Sequence, residues 1–266
     1  MKEISLDQPI AHGRTADIYA WEDGQILKLF HDWFPLEDAE YEMKIARAVH
    51  TSGVHTPAVI GGIVQAEGRN GLIYERVDGQ SMLEVAPRQP WKIFEYAKRF
   101  AALQAQMHER VFTAEVPTQR NKFERRLQHL EILPSTLRNK LLEQLASLPD
   151  GDRVCHGDFH PANVLISDND ITIIDWIDSS RGNPLADVAR TTIILLGAVE
   201  SPQLPNLFLK TFVKVFHSTY LKNYFLLRSG GEDEYRRWLP IVAAARLSEG
   251  IQELEKWLVE QAQKIE

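Results

Sequence analysis

The sequence predicts an α+β protein in two parts, a small antiparallel sheet carrying one helix and a larger, mostly helical remainder. Three observations predict it. Short alternating runs separated by turn residues fill most of the first 77 positions, apolar residues recur at helical spacing from about residue 91 onward, and a brief β-rich interval at 153–175 interrupts that helical texture.

The chain opens on strands. Residues 14–21 and 25–30 alternate and are separated by Asp23-Gly24, a turn pair that predicts an antiparallel hairpin. Pro35 followed by Leu36, Ala39, Met43, Ala46 and Val49 predicts a helix of about four to five turns, since proline suits a first helical turn and Gly53 a far end. Runs at 58–65 and 71–77 predict two more strands before Asp78-Gly79 turns the chain. Residues 1–77 thus read β-β-α-β-β, and residues 78–266 form the second part. There, Tyr96, Phe100, Leu103, Met107 and Val111 share one face of a helix over 91–111, and 121–147 reads as two further helices. A turn formed by Ser167, Asp168, Asn169 and Asp170 divides the β interval. In the final third, Leu247, Ile251, Leu254 and Leu258 share one helical face and read as core, while the acidic run Glu232, Asp233 and Glu234 reads as a solvated loop.

Composition narrows the function classes. A chain of 266 residues can bury a sizeable core, and 44% hydrophobic with 25% charged residues is the balance of an ordinary globular protein. A formal charge of −7 argues against a nucleic-acid partner, which calls for clustered Lys and Arg. The single cysteine, Cys155, has no intramolecular disulfide partner and reads as a buried thiol in a reducing compartment. The N-terminal residues carry acids and no signal-length apolar stretch, and the longest apolar-leaning run, 191–199, is half a membrane span. The expectation is a cytoplasmic protein without a membrane partner, a monomer or a homodimer.

The chemistry concentrates at 155–166, CHGDFHPANVLI, followed by Asp175 at the end of the β-like run ITIID. Gly157 and Pro161 make the first part a loop, and the two apolar runs can pair as a hairpin that brings Asn163 and Asp175 to one end. An amide and a carboxylate are suitable oxygen ligands for Mg²⁺, which shares its shell with phosphate oxygens and water. Asp158 lies five residues before Asn163. That interval lets one carboxylate face an acceptor hydroxyl while the amide, beyond a turn, faces a metal. A polar β-turn with incidental acids is the bland alternative. His156 and His160, as His-x-Asp-x-His, also invite a binuclear metal reading, but the D-x-H and G-N-H-[DE] patterns of such phosphoesterases do not occur.

The segment H-G-D-F-H-P-A-N-V-L followed by I-I-D-W resembles the central motif of the aminoglycoside phosphotransferase and choline kinase superfamily, cousins of the protein kinases. The resemblance implies a two-lobed protein-kinase-like fold: residues 1–77 as the nucleotide-binding lobe, 78–266 as the catalytic and acceptor-binding lobe, and ATP between them. GTP is the alternative nucleotide, and Mg²⁺ the metal. Asp158 would be the catalytic base, Asn163 and Asp175 the metal ligands. Lys28, in the run Ile26-Leu27-Lys28-Leu29, would bind the α- and β-phosphates. Glu37, Glu40 and Glu42 compete to hold that lysine. The resemblance favours Glu42, with a solvated helix face as the plain reading. Gly13, Arg14 and Thr15 would form the turn over the phosphates, while the Glu75 carbonyl and Val77 amide would meet the adenine edge. His156 would brace the loop, His160 would be structural or near the acceptor, and Asp187, in a stretch like the family's G-x-P-x-x-D-x-A, would support the loop in preference to a surface ion pair with Arg190. Asn183 and Pro184 supply the cap and first turn of the helix that carries it.

The implied activity is transfer of the ATP γ-phosphoryl group to a hydroxyl of a small molecule, an aminoglycoside-, choline- or homoserine-like acceptor. Gly157 in place of the usual kinase arginine, Asp175-Trp176-Ile177 in place of Asp-Phe-Gly, and no Ala-Pro-Glu after Asp175 set the chain apart from protein kinases. A protein kinase and a catalytically silent nucleotide sensor are the rival readings.

Overall fold

The computed structural model describes residues 6, 8–167, 170–204 and 206–265. It divides into two compact units, Met1–Gln80 with Val164–Ile177, and Ser81–Asn163 with Asp178–Glu266.

The first unit is built on a five-stranded antiparallel sheet in the order β1-β2-β3-β5-β4, from β1 (Ala11–His12), β2 (Ala16–Ala20), β3 (Gln25–Phe30), β4 (Val59–Ala66) and β5 (Arg69–Glu75). The predicted hairpin turns at Gly24, whose φ of +70° is a backbone state glycine enters freely. Strand parity then sorts β3: Leu27 and Leu29 pack with Tyr19 and Ala66 on one face, while Phe30 joins Ala16, Phe34, Ala39 and Leu72 on the other. Helix α1 (Leu36–Thr51) buries Ala39, Glu42, Ile45, Ala46 and Val49, so a glutamate sits on its apolar stripe. Two-residue β1 escaped the sequence reading because so short a strand has no period to detect. A hairpin of β8 (Val164–Ile166) and β9 (Ile171–Ile173) completes this unit, with Val164 opposite Ile173. Asp168 and Asn169 of its expected turn lie outside the described residues, while Ser167 N donates to the Asp170 carbonyl at 2.9 Å.

The chain leaves the sheet through β6 (Gln80–Ser81) into α2 (Met82–Arg88), and the second unit continues with α3 (Ile93–Met107), α4 (Gln119–Gln128) and α5 (Ser135–Ser147). Strand β7 (Arg153–Cys155) pairs antiparallel with β10 (Ser180–Gly182). Four more helices follow, α6 (Pro184–Glu200), α7 (Leu207–Leu227), α8 (Glu232–Leu247) and α9 (Glu255–Ala262). Phe100 of α3 stacks on Phe159 at 4.2 Å and meets Phe216 and Tyr220 of α7, which gathers the core around the catalytic-loop candidate.

Two expectations are corrected. Glu232, Asp233 and Glu234 form the first turn of α8, where carboxylates complement the helix dipole, and Glu234 accepts a hydrogen bond from Asn183 Nδ2 at 2.7 Å. Leu247, Ile251, Leu254 and Leu258 do not share one helix: Gly250, at φ +68°, ends α8 and the chain restarts as α9, although Leu247, Leu254 and Leu258 are all buried. Among the described residues no helix is long and apolar enough to cross a membrane.

Candidate active site

In the first unit, the strand that buries Leu27 and Leu29 necessarily turns Lys28 to the opposite face, toward α1. There its ammonium donates to Glu42 Oε1 at 2.7 Å and to Asp175 Oδ1 at 3.3 Å. Tyr74, one step along β5 from Lys28's partner Leu72 on the same face, donates its hydroxyl to the same Glu42 oxygen at 2.9 Å. Burial opposes the charge on Lys28, yet the Glu42 and Asp175 carboxylates outweigh it and lift the ammonium above its ordinary pKa. Glu37 and Glu40 are exposed and Glu42 is buried, which separates the three competitors. Asp175 has φ +65°, a left-handed state unusual for a non-glycine residue and costly enough to need a reason. Gly13, Arg14 and Thr15 form a tight turn between β1 and β2, closed by Gly13 N to the Ala16 carbonyl at 2.8 Å and by His31 N to the Thr15 carbonyl at 2.9 Å. Glu75 ends β5 with its carboxylate accepting from Ala58 N at 3.0 Å; half-buried Val77 lies two residues beyond.

In the second unit, the loop after β7 is held from α6. Asn183 caps that helix through Leu185 N at 2.8 Å, Pro184 follows at its first position, and the helical period then aligns Asp187, Arg190 and Thr191 on one face. Each reaches the loop. Asp187 accepts from the backbone N–H of Gly157 at 2.7 Å and of His156 at 3.2 Å. Arg190 Nε donates to the Gly157 carbonyl at 2.9 Å, and the Thr191 hydroxyl to the Phe159 carbonyl at 3.0 Å. The fully buried Asp187 carboxylate also contacts Gln104 Nε2 at 3.0 Å and His108 Nε2 at 3.1 Å. Burial alone would raise its pKa; the His108 contact and the Gly157 N–H reverse that and lower it.

The loop's glycine has a steric reason. Gly157 adopts φ +79°, and a Cβ there would collide with the Asp178 carbonyl oxygen. The sharp reversal leaves Asp158 on the partly exposed side, 31% accessible. Its backbone N–H donates to Nδ1 of the buried His156 at 3.2 Å. Ala162 N donates to His160 Nδ1 at 3.3 Å, which leaves His160 Nε2 as the donor toward Asp158 Oδ2 at 3.2 Å. Burial pushes the Asp158 pKa up, but the His160 hydrogen bond and Arg190, at 3.7 Å, hold the carboxyl well below its ordinary range. Asn163 donates Nδ2 to the Asp158 carbonyl at 3.0 Å, so its amide oxygen is the atom it can offer a cation.

The residues fit nucleotide and Mg²⁺ by donor chemistry. Asp175 offers carboxylate oxygen, Asn163 offers amide oxygen, and Lys28 offers a cation whose charge is secured. Among the described residues no three His, Cys, Asp or Glu side chains converge as a metal site of their own. The carboxylate and the amide are each a kind of oxygen donor that Mg²⁺ accepts alongside phosphate and water. Cys155 is fully buried, and burial raises its thiol pKa well above the usual value, which keeps it inert.

The sequence reading missed Tyr74, Gln104, His108 and Thr191, and took Arg190 only as a rival partner for Asp187. Arg190 had a local signal, an arginine three residues after Asp187 on an otherwise apolar helix. Gln104 and His108 had a weaker one, polar residues four apart, on the last turn of α3 and at its C-cap.

No curated protein sequence matches the chain. Among solved structures, a thermostable mutant of the aminoglycoside phosphotransferase APH(4)-Ia in its apo form superposes with a TM-score of 0.65 at 15% identity, covering 98% of this chain and 93% of that one. The same protein has been solved with ADP and hygromycin B, at TM-score 0.63 and 14% identity over 97% and 92% of the two chains. The amicoumacin kinase hAmiN, in complex with AMP-PNP, Ca²⁺ and its ligand Ami, gives 0.65 at 17% identity over 97% and 86%. A choline/ethanolamine kinase family protein from Mesorhizobium loti gives 0.58 at 17% over 95% and 80%. At these identities the likeness establishes a two-unit, protein-kinase-like α+β fold. The model of the phosphotransferase enzyme family matches residues 7–218, most of the chain, and with that match the chain belongs to this family and is a phosphotransferase.

Proposed function

We propose that the chain transfers the γ-phosphoryl group of ATP to a hydroxyl of a small molecule. The observation that carries this reading is the Asp158 carboxylate, partly exposed at the tip of a loop pinned by Asp187 and kept ionised by His160 and Arg190. In the transfer, the acceptor oxygen forms a bond to phosphorus, the bond from phosphorus to the ADP oxygen breaks, and the hydroxyl proton passes to Asp158. A carboxylate with so low a pKa is a poor proton store. It orients the hydroxyl and takes the proton late, as suits a loose transition state that gains mainly from positioning and charge neutralisation.

Residues 1–77 would supply the nucleotide side and residues 78–266 the catalytic and acceptor side. Lys28, fixed by Glu42, holds the α- and β-phosphates. The turn at Gly13, Arg14 and Thr15 covers them, and the Glu75 carbonyl and Val77 amide meet the adenine edge. Asn163 and Asp175 hold Mg²⁺, which when bound supplies charge neutralisation on the phosphate oxygens. The Val164–Ile173 register supports this pairing, because the segments before Val164 and after Ile173 leave the hairpin at one end. Nucleotide and a divalent ion accompany the amicoumacin kinase relative, and ADP with hygromycin B the aminoglycoside phosphotransferase one. ATP is the first-choice donor, with GTP the alternative. The acceptor lies in the range from aminoglycoside-like to choline- and homoserine-like hydroxyl compounds. The acidic composition and single cysteine fit a cytoplasmic enzyme, monomeric or homodimeric.

A thermal-shift screen of hydroxylated small molecules with AMP-PNP and Mg²⁺, followed by product detection for each hit, tests the reading. Stabilisation and a phosphorylated product support it. Nucleotide binding with no product from any hit would favour the silent sensor, and label transferred to casein with none to small molecules would favour a protein kinase.

A further inference from the structure

In the first unit, β1 is two exposed residues at the sheet edge, so the turn at Gly13, Arg14 and Thr15 has little ladder on that side to hold it. Side chains hold it instead. His31, the residue after β3, donates its backbone N–H to the Thr15 carbonyl at 2.9 Å, and its ring Nε2 meets the Gly13 carbonyl at 3.2 Å. A carbonyl only accepts, so Nε2 carries the hydrogen. The other ring nitrogen lies 3.8 Å from Asp17 Oδ2. Asp17 is tied to the strand before the turn by His12 Nδ1 at 2.8 Å and to β5 by Arg69 Nη1 at 3.2 Å. Arg69 in turn donates to the Tyr19 hydroxyl at 3.2 Å and to Glu67 at 3.3 Å.

Strand parity fixes the face on which this happens. Tyr19 packs with Leu27 and Leu29, Asp17 is two residues from Tyr19 along β2, and His31 is two residues beyond Leu29 at the end of β3. The His31 ring therefore lies on the face of the sheet opposite Lys28. In a trans peptide, such as the one joining Gly13 to Arg14, the C=O and the following N–H point in opposite directions. A Gly13 carbonyl held toward the His31 face thus turns the Arg14 N–H toward the Lys28 face. Among the described residues nothing accepts from that N–H. An unmet backbone donor, on the same face as a secured ammonium, suits a phosphate oxygen.

We infer that His31 is a positioning residue for the phosphoryl donor. By holding the Gly13 carbonyl on the outer face it presents the Arg14 N–H to a phosphate oxygen of the nucleotide, which the imidazole itself does not touch. This rests on the phosphotransfer reading and adds to it a residue outside the turn that sets how the turn meets the phosphates. Calorimetric titration of the wild type, His31→Phe and His31→Gln with adenosine and with AMP-PNP, each in the presence of Mg²⁺, tests it. Phenylalanine fills the space of the ring without a donor, whereas glutamine keeps a side-chain N–H at a similar reach. His31→Phe is expected to weaken AMP-PNP binding about tenfold while adenosine stays within about twofold of the wild type, and His31→Gln to recover most of the loss. Equal weakening of adenosine and AMP-PNP would mark a merely structural residue and overturn the inference. So would unchanged AMP-PNP affinity in His31→Phe, or a loss in His31→Gln as large as in His31→Phe. Each of these leaves the phosphotransfer reading standing. A wild type that binds AMP-PNP no more tightly than adenosine would defeat that reading, and the inference with it.

Discussion

The two units solve the problem of placing charge in opposite ways. The first positions a side chain: strand parity turns Lys28 to the helix face, and one buried glutamate, itself held by Tyr74, fixes it. The second positions backbone: Asp187, Arg190 and Thr191, on one face of α6, hold His156, Gly157 and Phe159 by their main-chain groups, and Asp158 goes where the loop goes. A side-chain device has few contacts and tunes charge, whereas a backbone device has many and sets geometry. Substitutions in the first unit should therefore act mainly on nucleotide affinity, and those in the second on loop integrity and turnover.

The largest effect is expected at Asp187. Asp187→Ala strips an acceptor from the backbone N–H groups of His156 and Gly157 and from Gln104, at an expected cost of about 3–5 kcal/mol in urea unfolding together with loss of turnover. A cost near that of a surface substitution would break the backbone side of the contrast. Next comes Asp158→Asn, expected to lower kcat roughly 10²-fold or more while AMP-PNP affinity stays close to wild type. Glu42→Gln should weaken ATP binding about tenfold, since a neutral amide then replaces the carboxylate and Lys28 keeps only Asp175, at the longer distance, as a charged partner. An effect on kcat alone would contradict the side-chain role.

Acid should act through the second unit's histidines. Burial lowers the His217 pKa to about 4 from 6.5, so between those values the unfolded chain binds the proton that the folded chain refuses. Stability then falls as pH drops from 6.5 toward 4, by about 1–2 kcal/mol for this partly exposed ring. Urea midpoints at pH 7 and pH 4.5 measure the fall, and His217→Gln should flatten the slope. Buried His108, also shifted down by burial, adds in the same direction, while the depressed carboxyl of Asp187 contributes only below about pH 3.9. The smallest effect is set at Asn183. Asn183→Ala removes the cap of α6 and should cost about 1 kcal/mol.

The same contrast sets how much could be read in advance. The order β-β-α-β-β was legible because alternation, Asp23-Gly24 and the Pro35 start are local signals, and Glu42 falls on the stripe of Ala39, Ala46 and Val49. In the second unit the motif around Asp158 and the Asn183-Pro184 cap were equally local. The partners that hold the loop were not. Gln104 lies 83 residues from Asp187, and Arg190 and Glu249 meet across two helices; no period or spacing announces such contacts. The break at Gly250 was overlooked for a related reason, since Leu247, Leu254 and Leu258 of the four positions at helical spacing remain buried even when the helix stops and restarts.

The most direct measurement follows γ-³²P from ATP in the presence of Mg²⁺ and a panel of hydroxylated small molecules, with the wild type and Asp158→Asn side by side. Label entering a small molecule with the wild type, and at least about a hundredfold less with a variant that still binds AMP-PNP, is the expected result. Equal transfer by the two proteins, or label found only in protein, would contradict it.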